Sequence, residues 1–235
     1  MKVVVMSYSG NVGKSTVCRH LLQPRIPDAE LFAIETVNAD DYGEDEVERL
    51  RGKQFGDLLP KLLVPNMSAI VDVGSSNAEA LVQRLVQYGN AHNYIDFFVI
   101  PVAPKPKMIK DTKVLIDTLA RIGVPGSKIR VLFNMVDTES DTPVVFKMLF
   151  DHARETKSFV INAHAVLYEN ELYQKLNGTG LTIPILLDAS NDIEAALMEA
   201  KDDARIAKLT QQLAARLLAE KTNCELDAAF TALFC

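Results

Sequence analysis

The sequence predicts an α/β fold, a mostly parallel β-sheet flanked by helices. Short β-branched runs alternate with longer helical stretches, the pattern left by strands joined through crossover helices. The first run, Lys2-Val-Val-Val-Met6, is apolar almost throughout, as a strand buried on both faces should be. A glycine-bearing loop, "SYSGNVGKST", then joins that strand to a helix.

In chain order, strands are expected at Lys2–Met6, Glu30–Glu35, Ser68–Asp72, Phe97–Val102, Lys128–Phe133 and Ile183–Leu187. Pro184 assigns the last of these to a sheet edge, because proline cannot donate to a ladder. Helices are expected at Lys14–Leu22, stopped by Pro24, then at Asn77–Tyr88, Lys107–Ile122, Val144–Lys157 and Asn191–Lys221. The charge-dense segment Glu44–Arg51 mixes both signs and reads as a solvated helix or loop. There is no internal repeat, low-complexity tract or linker. The expectation is one domain over residues 1–235, with a C-terminal helical segment from about 191 to 235.

At 235 residues and 26.0 kDa the chain is long enough to bury a substantial core. A net charge of −6 and a pI near 5.3 argue against whole-surface affinity for nucleic acid. Cysteines at 18, 224 and 235 are too widely spaced to suggest a disulfide framework. No apolar run approaches membrane-spanning length, and the expected location is the cytoplasm.

The loop carries most of the chemistry. An anion is held where backbone N–H groups converge at a helix N-terminus. Glycine lets the backbone approach, lysine reaches the outer phosphates, and the next hydroxyl ligates Mg²⁺. Gly10 and Gly13 supply the turns, Lys14 the charge and Ser15 the hydroxyl. The full phosphate-contacting set is Gly10, Asn11, Val12, Gly13, Lys14, Ser15 and Thr16. The general pattern asks for an earlier glycine where this chain has Tyr8.

A nucleotide site also needs an acidic group that holds the metal through water at a neighbouring strand end. "SAIVDVGSSN" offers Asp72; the alternative is an aspartate that closes a turn or caps the helix at Asn77, and the loop upstream favours the metal. "KIRVLFNMVD" places Asn134 at the end of a strand, where open α/β sheets bind ligands and an amide could meet a purine. Asp137 is a lesser candidate, and a plain turn remains the alternative for both.

With these residues placed, the chain resembles the ParA/MinD branch of P-loop ATPases, whose phosphate loop has the form Lys-Gly-Gly-x-Gly-Lys-Thr. Ser9-Gly-Asn-Val-Gly-Lys-Ser15 lies on that pattern. "FFVIPVAPKPKMIKDTKVLIDTL" is similar to the family's fourth strand, its proline-containing exit and the following helix. The resemblance is good over about residues 1 to 140. Within the branch, "YSGNVGKST" is most similar to the StbB-type plasmid stability proteins of conjugative plasmids.

The resemblance implies a three-layer α/β/α P-loop NTPase fold, ATP or ADP with Mg²⁺, and a nucleotide-dependent homodimer. It further implies a role in plasmid stability, positioning or conjugative transfer. Plasmid DNA would then be reached indirectly, through a small DNA-binding adaptor protein. By position, Lys14 and Asp72 match catalytic-site residues, and Ser15 and Asp72 match the metal side.

Two departures bear on catalysis. Ser9 replaces the signature lysine, which in relatives reaches across the dimer to the partner's nucleotide. The family's Asp-x-Asp pair at the end of its second strand is represented by Glu35 and Val37. Asn38, Asp40 and Asp41 follow, and Asp40 is the preferred substitute for positioning water. Slow hydrolysis is therefore expected. The rival readings are a P-loop kinase or ligase-like enzyme acting on a small metabolite, and a nucleotide-binding scaffold that never turns over.

Other features read as structural. Histidines at 20, 92, 152 and 164 form no ligand cluster. Met108, Met135 and Met148 are expected as core filler. Lys105, Lys107, Lys110 and Lys113 are the most basic local stretch; the resemblance implies a region that can face the dimer interface or DNA, and a solvated helix start is at least as good a reading. Apolar positions 206, 209, 213 and 217 are expected to dock on the domain. Leu226, Phe230, Leu233 and Phe234 are expected at the core or a partner; acidic Glu225 and Asp227 make a membrane surface the poorer match.

Overall fold

The structure, a computed structural model, describes residues 1–35, 48–51, 55–176, 181–188 and 192–235. Seven strands form one sheet: β1 Lys2–Val5, β2 Ala29–Glu35, β3 Glu48–Arg51, β4 Ser68–Val73, β5 Phe97–Val102, β6 Ile129–Val136 and β7 Val166–Tyr168. Their spatial order is β3-β2-β4-β1-β5-β6-β7. Every pairing between them is parallel.

The helices are α1 Lys14–Thr16, α2 Phe55–Leu62, α3 Ala78–Gln87, α4 Pro106–Arg121, α5 Thr142–Val145 and α6 Lys147–Thr156. They continue with α7 Glu171–Leu176, α8 Ile183–Leu187, α9 Ile193–Glu199 and α10 Asp203–Phe234. α1 runs on as wider π-type turns through Val17–Leu22, where the Gln23 N–H reaches back to the Cys18 carbonyl.

The pleat sorts alternate strand residues onto opposite faces. Val4, Met6, Phe32, Val71, Phe98 and Ile100 enter one core with Leu58, Leu81 and Leu85 and with Ile116 and Leu119 of α4. Val3, Val5, Leu31, Ala33, Ile70 and Val99 enter the other, with Leu21 and Leu22, Leu172 of α7, Leu186 of α8 and Leu226 of α10. Helices on both faces of a parallel sheet give the expected three layers.

Several expectations are corrected. Ile183–Leu187 is a helix and not an edge strand. Thr182 caps it by accepting the Ile185 N–H, and Pro184 occupies the first turn, where no donor is needed. Ile183 and Leu186 then share one buried side, which a helix places together as readily as a strand would separate them. Glu48–Arg51 is not a helix or loop but a strand at the sheet edge, paired with β2 from Phe32↔Glu48 to Glu35↔Arg51. Backbone pairing is indifferent to side-chain charge, and edges tolerate charged residues. β7, three residues long, had no pattern of its own to announce it.

The C-terminal segment is two helices and not one. Asp192 caps α9 through the Ala195 N–H, and Asp202 caps α10 through the Arg205 N–H. α10 then continues to Phe234, well past Lys221. Its fully buried residues are Ala219, Thr222, Leu226, Ala229 and Leu233, with Ala215, Leu218, Phe230 and Phe234 packed beside them, while Leu217 of the earlier apolar series is 62% exposed. Of the methionines expected as core filler, Met108 packs against the core, but Met135 and Met148 are exposed. No helix among the described residues is long and apolar enough to cross a membrane.

Candidate functional site

The site stands at the carboxyl edge of the two central strands. β1 ends at Val5, and the register Val5↔Asp72 sets the Asp72 backbone beside the start of the loop. Asp72 shares the sheet face of Ile70, the face that α1 covers. The pleat therefore aims its carboxylate at α1. The Ser15 hydroxyl donates to Asp72 Oδ2 at 2.7 Å, and Asp72 is 1% exposed.

The loop between β1 and α1 is held from beneath. Val12 is buried, and its carbonyl accepts Asn134 Nδ2 at 2.8 Å. Gly13 adopts φ 77° as the residue capping α1, a left-handed conformation that side chains resist. A Cβ there would stand 2.3 Å from Asn134 Nδ2, so the cradle has no room for one. Asn11 is also left-handed, at φ 56°. The Gly13 carbonyl receives the Val17 N–H at 2.9 Å, which starts the helix. The preceding N–H groups of Lys14, Ser15 and Thr16 belong to the first turn, where no intrahelical acceptor exists. A phosphate group fits such a cradle.

Asn134 thus makes its contact with the loop and not with open space. It is 4% exposed and lies within β6, which runs past the expected end at Phe133 to Val136, and Met135 beside it has φ 56°, at the register shift between Phe133 and Val136. Asp137 behaves as a turn residue, its Oδ1 accepting the Glu139 N–H. Val37, Asn38, Asp40 and Asp41 lie outside the described residues.

The start of the loop is gripped by α4, which sequence reasoning did not connect to it. Tyr8 is half-buried and packs against the core on the same side as α4, and burial pushes its phenol pKa up. Ser9 is 4% exposed and donates its hydroxyl to Asp111 Oδ2 at 2.6 Å. The same oxygen receives Lys107 Nζ at 2.6 Å. These two contacts, Lys107 first, hold the Asp111 carboxyl below the usual carboxylate range. The one available signal was the i,i+4 spacing of Lys107 and Asp111, which puts them on a single helix face.

A serine hydroxyl and a buried carboxylate in contact form an all-oxygen donor pair, suited to a hard cation that keeps several waters. Among the described residues no group of three or more His, Cys, Asp or Glu is placed to hold a metal. This leaves open the sparse ligation that Mg²⁺ shares with phosphates.

The fold defines the class: a P-loop NTPase fold of the ParA/MinD type. The chain is similar to the MinD cell division protein of Aquifex aeolicus, at 16% identity and TM-score 0.50, covering 91% of this chain and 96% of that one. It is also similar to the cell division ATPase MinD of Pyrococcus furiosus, at 14% identity and TM-score 0.50, covering 90% and 98%. A candidate plasmid partition protein of Borrelia burgdorferi B31, bound to AMPPNP, gives 14% identity, TM-score 0.47 and coverage of 92% and 98%. No protein-family model matches the sequence, and no curated protein matches it. At these identities the likeness is one of fold.

Proposed function

We propose that the chain is an ATP-binding, slowly hydrolysing protein that acts in plasmid stability, positioning or conjugative transfer. It would work as a nucleotide-dependent homodimer through a small DNA-binding adaptor. The observation that carries the nucleotide reading is the contact of Ser15 Oγ with Asp72 Oδ2, at the foot of a glycine cradle closed by Asn134. The plasmid role rests on the resemblance in the loop residues.

In this reading the first-turn N–H groups and Lys14 bind the outer phosphates, and Gly13 keeps the cradle open. Ser15 would hold Mg²⁺ directly and Asp72 through water. Mg²⁺, when bound, supplies positive charge beside the phosphate oxygens. Asn134 braces the loop through Val12, so a base contact by its amide would require it to leave that carbonyl. Slow turnover follows from the uncharged loop side chains at Tyr8, Ser9 and Asn11, which leave the loop no cation to deliver across a dimer to the partner's nucleotide.

The test is a calorimetric titration of ATP with and without Mg²⁺ into the parent and Asp72→Ala. The variant should lose most of the Mg²⁺-dependent gain in affinity while keeping metal-free binding. The same Mg²⁺ gain in both chains would remove Asp72 from the metal site.

A further inference from the structure

We propose that Lys107 is a second phosphate-binding cation of this site, parked on Asp111 and drawn to the terminal phosphate of a nucleoside triphosphate on the same chain. The proposal rests on the nucleotide reading above.

Among residues 8–16 only Lys14 carries a positive charge. A triphosphate brings more negative charge than one lysine offsets. α4 places a carboxylate against the mouth of the same loop: Asp111 Oδ2 lies 2.6 Å from Ser9 Oγ. Left bare, that carboxylate would repel an incoming phosphate. Lys107 Nζ lies 2.6 Å from the same oxygen, so the ammonium stands next to Ser9, one residue before Gly10.

The two side chains are built differently. Ser9 is 4% exposed and fixed between Asp111 and Ser7, its hydroxyl donating to the first and its N–H to Ser7 Oγ at 3.1 Å. The Lys107 side chain is 81% exposed, so its ion pair is solvent-screened and little is lost when it swings away. Ser9 thus locates the carboxylate, the carboxylate locates the lysine, and the lysine remains mobile. A terminal phosphate would compete for that ammonium as a stronger acceptor. ADP, lacking the terminal group, would leave it on Asp111.

Two roles must be separated: contact with phosphate, and mere neutralisation of Asp111. Calorimetric titrations of ATP and of ADP, both with Mg²⁺, into the parent, Lys107→Ala, Asp111→Asn and the double variant do this. A lost charged hydrogen bond should weaken ATP about tenfold in Lys107→Ala, with ADP changed less than about twofold. Asp111→Asn should bind ATP at least as tightly as the parent. The deciding comparison is the double variant against Asp111→Asn, where the proposal expects about the same tenfold loss for ATP. No loss there would mean the lysine only masks the carboxylate, and an equal loss for ATP and ADP would mean it provides a diffuse field; either overturns the proposal. A parent chain that binds neither nucleotide would instead bring down the site reading, and this inference with it.

Discussion

Gly13 shows how narrowly the loop is specified. Its φ of 77° and the 2.3 Å that would separate an added Cβ from Asn134 Nδ2 act together. Gly13→Ala should cost about 2 kcal/mol in urea unfolding and abolish ATP binding, because the backbone and Asn134 must both shift. Parent-like stability and affinity would show that the cradle has slack. His20 sets a different test. It is 7% exposed, its ring 5.5 Å from that of Tyr173, and burial first, then Arg19, lowers its pKa to about 4. Because the unfolded chain binds that proton more readily, stability should fall as pH drops from 6.5 towards 4. The loss between pH 7 and pH 5 should be about 2 kcal/mol, and it should vanish in His20→Phe. An unchanged pH slope in the variant would place the acid sensitivity elsewhere. The Ser15–Asp72 contact joins two residues that the sequence already singles out, one after the loop lysine and one in the apolar run of β4. The Ser9–Asp111 contact was not legible there: its partners are 102 residues apart, and neither carries a signal until α4 is packed against the loop.

The elements differ in how openly they declare themselves. β1, β4, β5 and β6 are readable because burial on both faces keeps their middles apolar, at Val3–Val5, Ala69–Val71, Phe98–Ile100 and Val131–Phe133. Ile183–Leu187 has the same apolar look, and only the cap at Thr182 and the proline in the first turn distinguish a short helix from a strand. β7 is held by the ladder of β6 and has too few residues to show any period. α10 is foreshadowed by apolar spacing: Leu226 and Leu233 are buried and Phe230 and Phe234 pack against the same core, while Leu217 of the earlier series is exposed. What fixes that end is a set of long-range contacts, Arg25 bonding Asp227 and the Asn223 carbonyl, and Phe234 set edge-on to Phe97 at 4.9 Å. Leu226, 1% exposed in the core beneath α10, is a clean probe of this docking. Leu226→Ala should cost about 3 kcal/mol by chemical denaturation. A loss under about 1 kcal/mol would mean α10 contributes little to the fold.

Across the whole molecule, the sheet order puts β1 at the centre, between β4 and β5, and thereby gathers the site from segments far apart in sequence. β4 delivers Asp72, β6 delivers Asn134 and α4 delivers Asp111, all converging on the loop that follows β1. Ligands of open α/β sheets bind outside the carboxyl ends of the strands, and this convergence is what that rule looks like in one chain. Lys14 sits at its centre, on the first residue of α1, and its charge is the loop's own. The function proposed for this convergence is to bind a nucleotide by its phosphates. The direct measurement is calorimetric titration of Mg²⁺-ATP into the parent and Lys14→Ala, with circular dichroism confirming that both are folded. Saturable binding to the parent is expected, with a loss of at least about a hundredfold in the folded variant. Equal affinity for ATP in the two chains would contradict it.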